Sequence, residues 1–203
     1  MGSPATLDLD RLLAPVSEDN PAGDDLRADA SPSSAYYQLK DLRKAARAKE
    51  RELGADGGGD RQREVPDTRG DWRPILQQTV ELLSTRSKDL ELVAWLIEAQ
   101  VRLHGFAGLR DGFRLTLGFV DRYWDSFYPR EDDTADRVAA FAGLNGQEAE
   151  GTLILPIRNV PITEARSLGP FASWHYQQAI SLQQMADAEA RERRIAAGAA
   201  TME

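Results

Sequence analysis

The stretch from Ser87 to Asp133 constrains the fold more than any other part of the sequence. It predicts two helices separated by a short turn that is bounded by Gly105 and Gly108. Gly105 is suited to end the first helix because glycine adopts positive φ angles without steric cost. Aromatic residues close the second helix and lead to Pro129. This central hydrophobic helical hairpin predicts a mainly α fold, a multi-helix bundle.

The first helix of the hairpin is apolar on two opposite sides, which predicts that it lies enclosed between other helices. Thr85 or Ser87 is a suitable N-cap, and Asp89 places negative charge near the positive end of the helix dipole. Trp95 borders a polar seam, so it is a candidate interface residue if exposed and a core residue if covered. The two apolar sides contain Leu90, Val93, Ala94, Ile97 and Val101, and Leu92, Leu96, Ala99 and Leu103; the seam contains Glu91, Glu98 and Arg102.

The second helix, about Leu109 to Trp124, is predicted to bury one stripe and to expose a charged side. Tyr123, Phe127 and Tyr128 are expected to seal the end of the bundle. The predicted buried stripe contains Leu109, Phe113, Thr116, Leu117, Val120 and Trp124, widened by Leu115, Phe119 and Tyr123; the charged side contains Arg110, Asp111, Arg114, Asp121 and Arg122.

The flanking sequence predicts further helices. A helix over Tyr36 to Leu53 follows from apolar spacings of three and four, and another begins at Asp71 as N-cap, with Trp72 in the core. Asp133, Thr134 or Asp136 is a suitable cap for a later helix. A short helix stopped by Pro15 is also expected.

The domain organisation is predicted as an N-terminal extension or tag remnant at 1–6, a helical domain at 7–186, and a linker or frayed helix at 187–203. A mobile glycine-rich loop at about 54–70 interrupts the domain. Residues 152–162 are β-branched and interrupted by proline, so a short extended or β-like segment is as well supported as a helix.

Composition excludes several kinds of function. The chain has no cysteine and two histidines, so it has no disulfide or thiolate metal site, and no cofactor is predicted. A net charge of −8 argues against a nucleic-acid partner. No apolar run reaches the roughly 20 residues that a membrane span needs, and no secretion signal is recognisable, so we expect a soluble, unexported protein.

The candidate catalytic groups do not form a convincing site. Ser87 and Asp89 precede a helix whose other end carries His104, about 22 Å away at 1.5 Å per residue, so they cannot form a triad. The acidic run Glu131 to Asp133 lacks the spacing of a calcium loop. Helix capping and attraction of Arg137 or another basic group are the favoured roles of that run.

The order of motifs resembles a known family. SKDLEL at 87–92, then AWL, GFAGL, YWDSFYP and DD, resembles the N-terminal ImpA-type domain of TssA proteins, assembly components of the bacterial type VI secretion system. LLAPVSEDNPAGDDLR at 12–27 and GDWRPI at 70–75 extend the resemblance, which runs from Leu7 to about Tyr176. The matching residues, expected to be structural, are Asp71, Trp72, Ser87, Lys88, Asp89, Leu90, Gly105, Gly108, Leu109, Tyr123, Trp124, Tyr128, Pro129, Asp133 and Arg137.

The resemblance implies a noncatalytic module that docks onto baseplate, sheath or tube proteins in the bacterial cytoplasm. Ring oligomerisation is not expected without additional C-terminal domains. Two alternatives remain at this point: a small carboxylate-dependent hydrolase using the acidic loops, and a dimerising helical adaptor whose C-terminal helix pairs with a second copy.

Overall fold

The computed structural model describes residues 2–56, 67–146, 150–164, 170–196 and 198–201. The coordinates separate into two compact units: Met1–Ala46 with Thr68–Ile157, and Arg47–Asp67 with Arg158–Glu203. Most of the predicted glycine-rich loop lies outside the described residues. The predicted domain limits at 7 and 186 stay a prediction.

The described residues are mainly helical, which confirms the predicted fold class. Their only extended pairing consists of isolated bridges. No helix among them is long and apolar enough to cross a membrane. The helices are α1 (Leu9–Leu13), α2 (Ala35–Asp56), α3 (Arg69–Thr85), α4 (Leu90–Tyr123), α5 (Thr134–Arg137), α6 (Ala139–Asn145), α7 (Ile154–Asn159), α8 (Ser173–Gln183) and α9 (Ala188–Ala196), with a 3-10 turn at Leu26–Ala28.

Helix α4 is the predicted hairpin, bent at Gly105, whose φ of 58° and ψ of −138° only glycine adopts readily. The first arm, before the bend, is enclosed as predicted, with Leu92 and Leu96 fully buried. The second arm follows the bend directly and packs closely on the first. A Cβ at Gly108 would lie 2.3 Å from the Gln100 carbonyl oxygen. The missing side chain therefore lets the arms approach.

The predicted buried stripe of the second arm is wrong at Phe113, Leu117 and Trp124, whereas Leu115, Phe119 and Tyr123, predicted to widen it, are buried. Phe113 is 42% exposed, Leu117 62% and Trp124 37%, whereas Asp111, predicted to be solvated, is buried. The reason is that the small glycines define the face that approaches the first arm. The buried face of the second arm consists of Gly108, Asp111, Gly112, Leu115, Phe119 and Tyr123.

Two predicted caps also need correction. Helix α3 begins at Arg69 after Thr68, so Asp71 lies in the first turn and is not the N-cap. Helix α4 is capped by Asp89, whose side chain accepts hydrogen bonds from two backbone N–H groups, and not by Ser87 or Thr85. Trp72 is fully buried, as predicted.

The proline-interrupted segment forms helix α7, where an extended or β-like segment was the alternative. Pro156 is the third residue of α7, within the first turn, where its missing N–H has no helical partner to lose. In the second unit, Pro161 forms a bridge with Ala172 just before α8. Helix α9 forms where a frayed helix or linker was expected.

Candidate functional site

The segment 87–90 is the point at which three parts of the first unit meet. Lys88 N–H donates to the Ala22 carbonyl at 2.7 Å, and Tyr128 N–H donates to the Lys88 carbonyl at 2.9 Å. Leu90 N–H returns a bond of 2.7 Å to the Tyr128 carbonyl. The segment is therefore held between the N-terminal loop and the aromatic segment that follows α4. We call this arrangement the junction.

Lys88 is fully buried in the junction, and its ammonium bonds to backbone alone. Its Nζ donates to the Leu12 carbonyl at 2.9 Å and to the Leu83 carbonyl at 2.7 Å. These carbonyls belong to the last turns of α1 and α3, where helical partners run out. One side chain thus satisfies both helix ends, whose negative dipole ends favour a cation.

Burial lowers the pKa of Lys88 to about 8. The cause is desolvation, which penalises the charged form. A lysine with a lowered pKa is sometimes a nucleophile or a base, but such roles require access to a substrate. Lys88 has no exposed surface, so this geometry supports a structural role.

Asp89 joins the N-terminus of α4 to Arg27. Its carboxylate has no exposed surface and accepts from Glu91 N–H and Leu92 N–H at 2.8 and 3.3 Å. Arg27 donates to both Asp89 oxygens, at 2.5 and 3.3 Å, and to Glu91 Oε2 at 2.6 Å. Burial raises the pKa of Asp89, and the bonds from Arg27 oppose that rise.

Aromatic rings continue this network along the first arm. Tyr36 stacks on Trp95 with ring centroids 5.3 Å apart, and its hydroxyl donates to Glu91 at 2.7 Å. Arg43 lies over the Trp95 ring, 5.5 Å from its centroid, and donates to Glu98 at 2.6 Å. Trp95 is 2% exposed, so its candidacy as a surface interface residue is wrong: helix α2 covers it.

The aromatic segment after α4 seals one end of the first unit, as predicted. Leu90, Tyr123 and Phe127 form a buried cluster. The Tyr123 hydroxyl donates to the Leu13 carbonyl at 3.0 Å, and the Tyr128 hydroxyl donates to the Gly23 carbonyl at 3.2 Å. Both tyrosines therefore anchor the N-terminal segment, and Pro129 follows directly in the chain.

Trp124 stays at the rim of this cluster. Arg137 stacks on the rings of Trp124 and Phe127 and donates to the Trp124 carbonyl. Asp133 caps α5 by accepting from Ala135 N–H at 2.7 Å, which confirms its predicted capping role. The predicted partner of Arg137 was the acidic run; its contacts here are with aromatic rings and a carbonyl.

Asp111 fixes the N-terminal extension to the second arm. Its carboxylate accepts from Thr6 N–H at 2.7 Å and from Arg110 Nε at 2.7 Å. The Arg110 guanidinium holds the pKa of Asp111 well below its usual range. Gly108 and the partly buried Leu109 precede this contact on the same arm.

The predicted exclusion of a triad agrees with the geometry. Ser87 is buried while His104 is exposed at the other end of the first arm. The Ser87 hydroxyl has no hydrogen-bond partner among the described residues. Across the described ranges, no three acidic or histidine side chains are grouped so as to hold a metal ion.

Sequence reasoning missed the burial or partial burial of Arg27, Glu98 and Asp111, among other charged residues. Glu98 was assigned to a polar seam, and Asp111 to the charged side of the second arm. Glu98 bonds to Arg43, 55 positions away in sequence, so no local spacing indicates the pair. The only signal for Arg27 was its place at the end of the segment that carries the resemblance.

Comparison with known proteins confirms the resemblance noted in the sequence. Residues 13–146 match the family described as ImpA, N-terminal, type VI secretion system. The chain is 34% identical to the type VI secretion system component TssA1 of Pseudomonas aeruginosa over 166 residues, which is 81% of this chain and 44% of that protein. It thus spans less than half of that relative.

A solved structure is also similar. It is the N-terminal domain, including the conserved ImpA_N region, of the TssA component of the type VI secretion system from Burkholderia cenocepacia. The TM-score is 0.71 at 29% sequence identity, covering 99% of this chain and 70% of that chain.

Proposed function

Because the chain belongs to the ImpA N-terminal family of type VI secretion systems, we propose that it is a noncatalytic docking module. It contributes to baseplate and tail assembly by binding baseplate, sheath or tube proteins. In this role the chain presents a rigid helical surface to those proteins. The role requires no cofactor.

The observation that carries this proposal is that the two buried charged side chains of the junction bond to other parts of the same chain. Lys88 bonds to two helix ends, and Asp89 bonds to Arg27 and to the N-terminus of α4. Both are fully buried. These groups stabilise the fold, and partners must bind to other, exposed residues.

The proposal predicts that the purified chain captures at least one baseplate, sheath or tube protein from a purified panel at moderate salt. Failure to bind any of them, with the fold intact by circular dichroism, contradicts the docking role.

A variant separates support of the fold from direct contact. Lys88→Met, measured at a temperature at which it remains folded, should bind the captured partner within about twofold of the natural chain, because Lys88 has no exposed surface to offer. A loss of tenfold or more in the folded variant would place the junction in the interface.

A further inference from the structure

The second arm of α4 carries an exposed apolar stripe opposite its buried face. Phe106, Phe113, Leu117 and Trp124 are 47%, 42%, 62% and 37% exposed. They are spaced seven, four and seven residues apart, so they share one side of the helix. Such a stripe is unusual on a surface helix of a monomer, where large apolar side chains are usually directed inward.

Charged side chains line one edge of this stripe in a particular order. Arg110 and Arg114 lie along its first half, and Asp121 and Asp125 along its second half. At 100° per residue Arg110, Arg114 and Asp121 fall on the same edge of the helix. Asp125 follows the C-cap residue Trp124, whose φ of −46° and ψ of −45° are still helical, so it continues that edge. Within the described ranges, neither Asp121 nor Asp125 is in an ion pair, and Arg114 is 62% exposed, with a contact of 3.6 Å to Asp111. Arg110 is bonded to Asp111 and to the carbonyls of Ser3 and Pro4, so Arg114 is the arginine of this edge that is open to a partner. The edge is therefore positive at one end and negative at the other.

Two copies of this helix that run in opposite directions would place the positive half of one edge against the negative half of the other. The pair Arg110 and Asp125 and the pair Arg114 and Asp121 are both centred between Leu117 and Gly118. An antiparallel copy of the same helix, crossing at that point, places Arg114 opposite Asp121, and places Arg110, which is already bonded to Asp111, near Asp125. It also brings the two Leu117 side chains together, at the most exposed part of the stripe.

We propose that the second arm of α4 is a homodimer interface, in which two copies of the chain pair antiparallel about a two-fold axis at Leu117. A two-fold interface uses the same patch on both copies, which is the property that the stripe and its charged edge share. Phe113 of one copy then lies within about one helical turn of Trp124 of the other. The interface combines apolar contacts in the middle with ion pairs along the edge.

This surface differs from the C-terminal helix considered from the sequence, and the inference does not depend on the docking function. The first test is the molar mass of the full chain by light scattering and sedimentation from about 1 to 200 µM. The natural chain should dimerise in this range. Leu117→Asp should weaken the dimer by roughly a hundredfold or more, because it buries two carboxylates at the axis.

Leu42→Asp is the matched control. Leu42 is an exposed leucine on α2, 39% exposed, and lies outside the stripe. Its replacement should leave the dimer unchanged. Equal weakening by both variants overturns the proposal, and so does a monomeric natural chain at 200 µM.

A charge exchange tests the antiparallel order. Arg114→Glu alone and Asp121→Lys alone each create two like-charge contacts across the axis, so each should weaken self-association by roughly tenfold. Mixed in equal amounts, the two variants restore opposite charges at both contacts and should form a heterodimer. The double variant should also recover the dimer.

Circular dichroism confirms that each variant is folded. Absence of recovery in both the mixture and the double variant overturns the antiparallel arrangement. Loss of binding to a type VI component by Leu117→Asp, with the natural chain monomeric at every concentration, likewise overturns the homodimer and assigns the stripe to another protein.

Discussion

Replacing Arg27 with methionine tests whether the junction depends on its buried ion pair. The substitution keeps much of the aliphatic side chain and removes the guanidinium, which leaves Asp89 with no exposed surface and no cation. Removing one partner of a buried pair destabilises a protein by about 3–5 kcal/mol. We expect about 3 kcal/mol, because Arg27 is partly exposed and two backbone N–H groups still bond to Asp89.

The assay is urea unfolding followed by tryptophan fluorescence at pH 7. Arg11→Met is the matched control, since Arg11 and Glu81 form an exposed pair at 3.3 Å, with 53% and 63% of the side chains exposed. Exposed pairs contribute about 0–1 kcal/mol. A loss below 1 kcal/mol for Arg27→Met, or equal losses for both variants, refutes the reasoning.

Three further predictions concern stability. Burial lowers the pKa of Lys88 from 10.5 to about 8, so between these pH values the unfolded chain binds more protons than the folded chain. The free energy of unfolding of the natural chain, relative to that of Lys88→Met, should therefore rise between pH 7.5 and 10 by up to about 3 kcal/mol in urea titrations. Asp111 has a lowered pKa, so its contribution is present above the unfolded pKa and is lost as pH falls below about 5; Asp111→Asn should therefore show a flatter decline of the urea midpoint between pH 5 and 2. Gly108→Ala places a Cβ 2.3 Å from the Gln100 carbonyl and should destabilise the chain by about 2 kcal/mol, whereas Gly143→Ala, with nothing within 4 Å, should be neutral or slightly stabilising in the same assay.

The sequence was sufficient where the signal is local. Apolar residues on both sides of the first arm predicted its enclosure, and Leu92 and Leu96 are buried accordingly. Gly105 predicted the bend because the required φ is a property of that one residue. Asp133, Thr134 and Asp136 were the candidate caps of the following helix, and Asp133 is the one that caps α5.

Prediction failed where the deciding contact is remote in sequence. Asp89 was assigned only a favourable charge, but it caps the helix itself and bonds to Arg27, 62 positions away. Asp111 was placed on the charged side because no local pattern indicates its partner Thr6, which is 105 positions away in the sequence. Helical periodicity identifies the more hydrophobic face of a helix, but it does not indicate hydrogen-bond or ion-pair partners that are distant in sequence.

The error in the second arm also has a thermodynamic consequence. Its glycine face packs inside because Gly108 admits the Gln100 backbone, so the stripe with Phe113 and Leu117 remains exposed. Covering exposed apolar surface with a second surface contributes a stabilising free energy of about 25 cal/mol per Å². If a second copy covers the stripe, dimerisation stabilises the folded state by mass action, so the melting temperature of the natural chain should rise with protein concentration. Differential scanning calorimetry at about 5 and 200 µM measures this rise, which Leu117→Asp should abolish and Leu42→Asp should preserve; a concentration-independent melting temperature in the natural chain contradicts it.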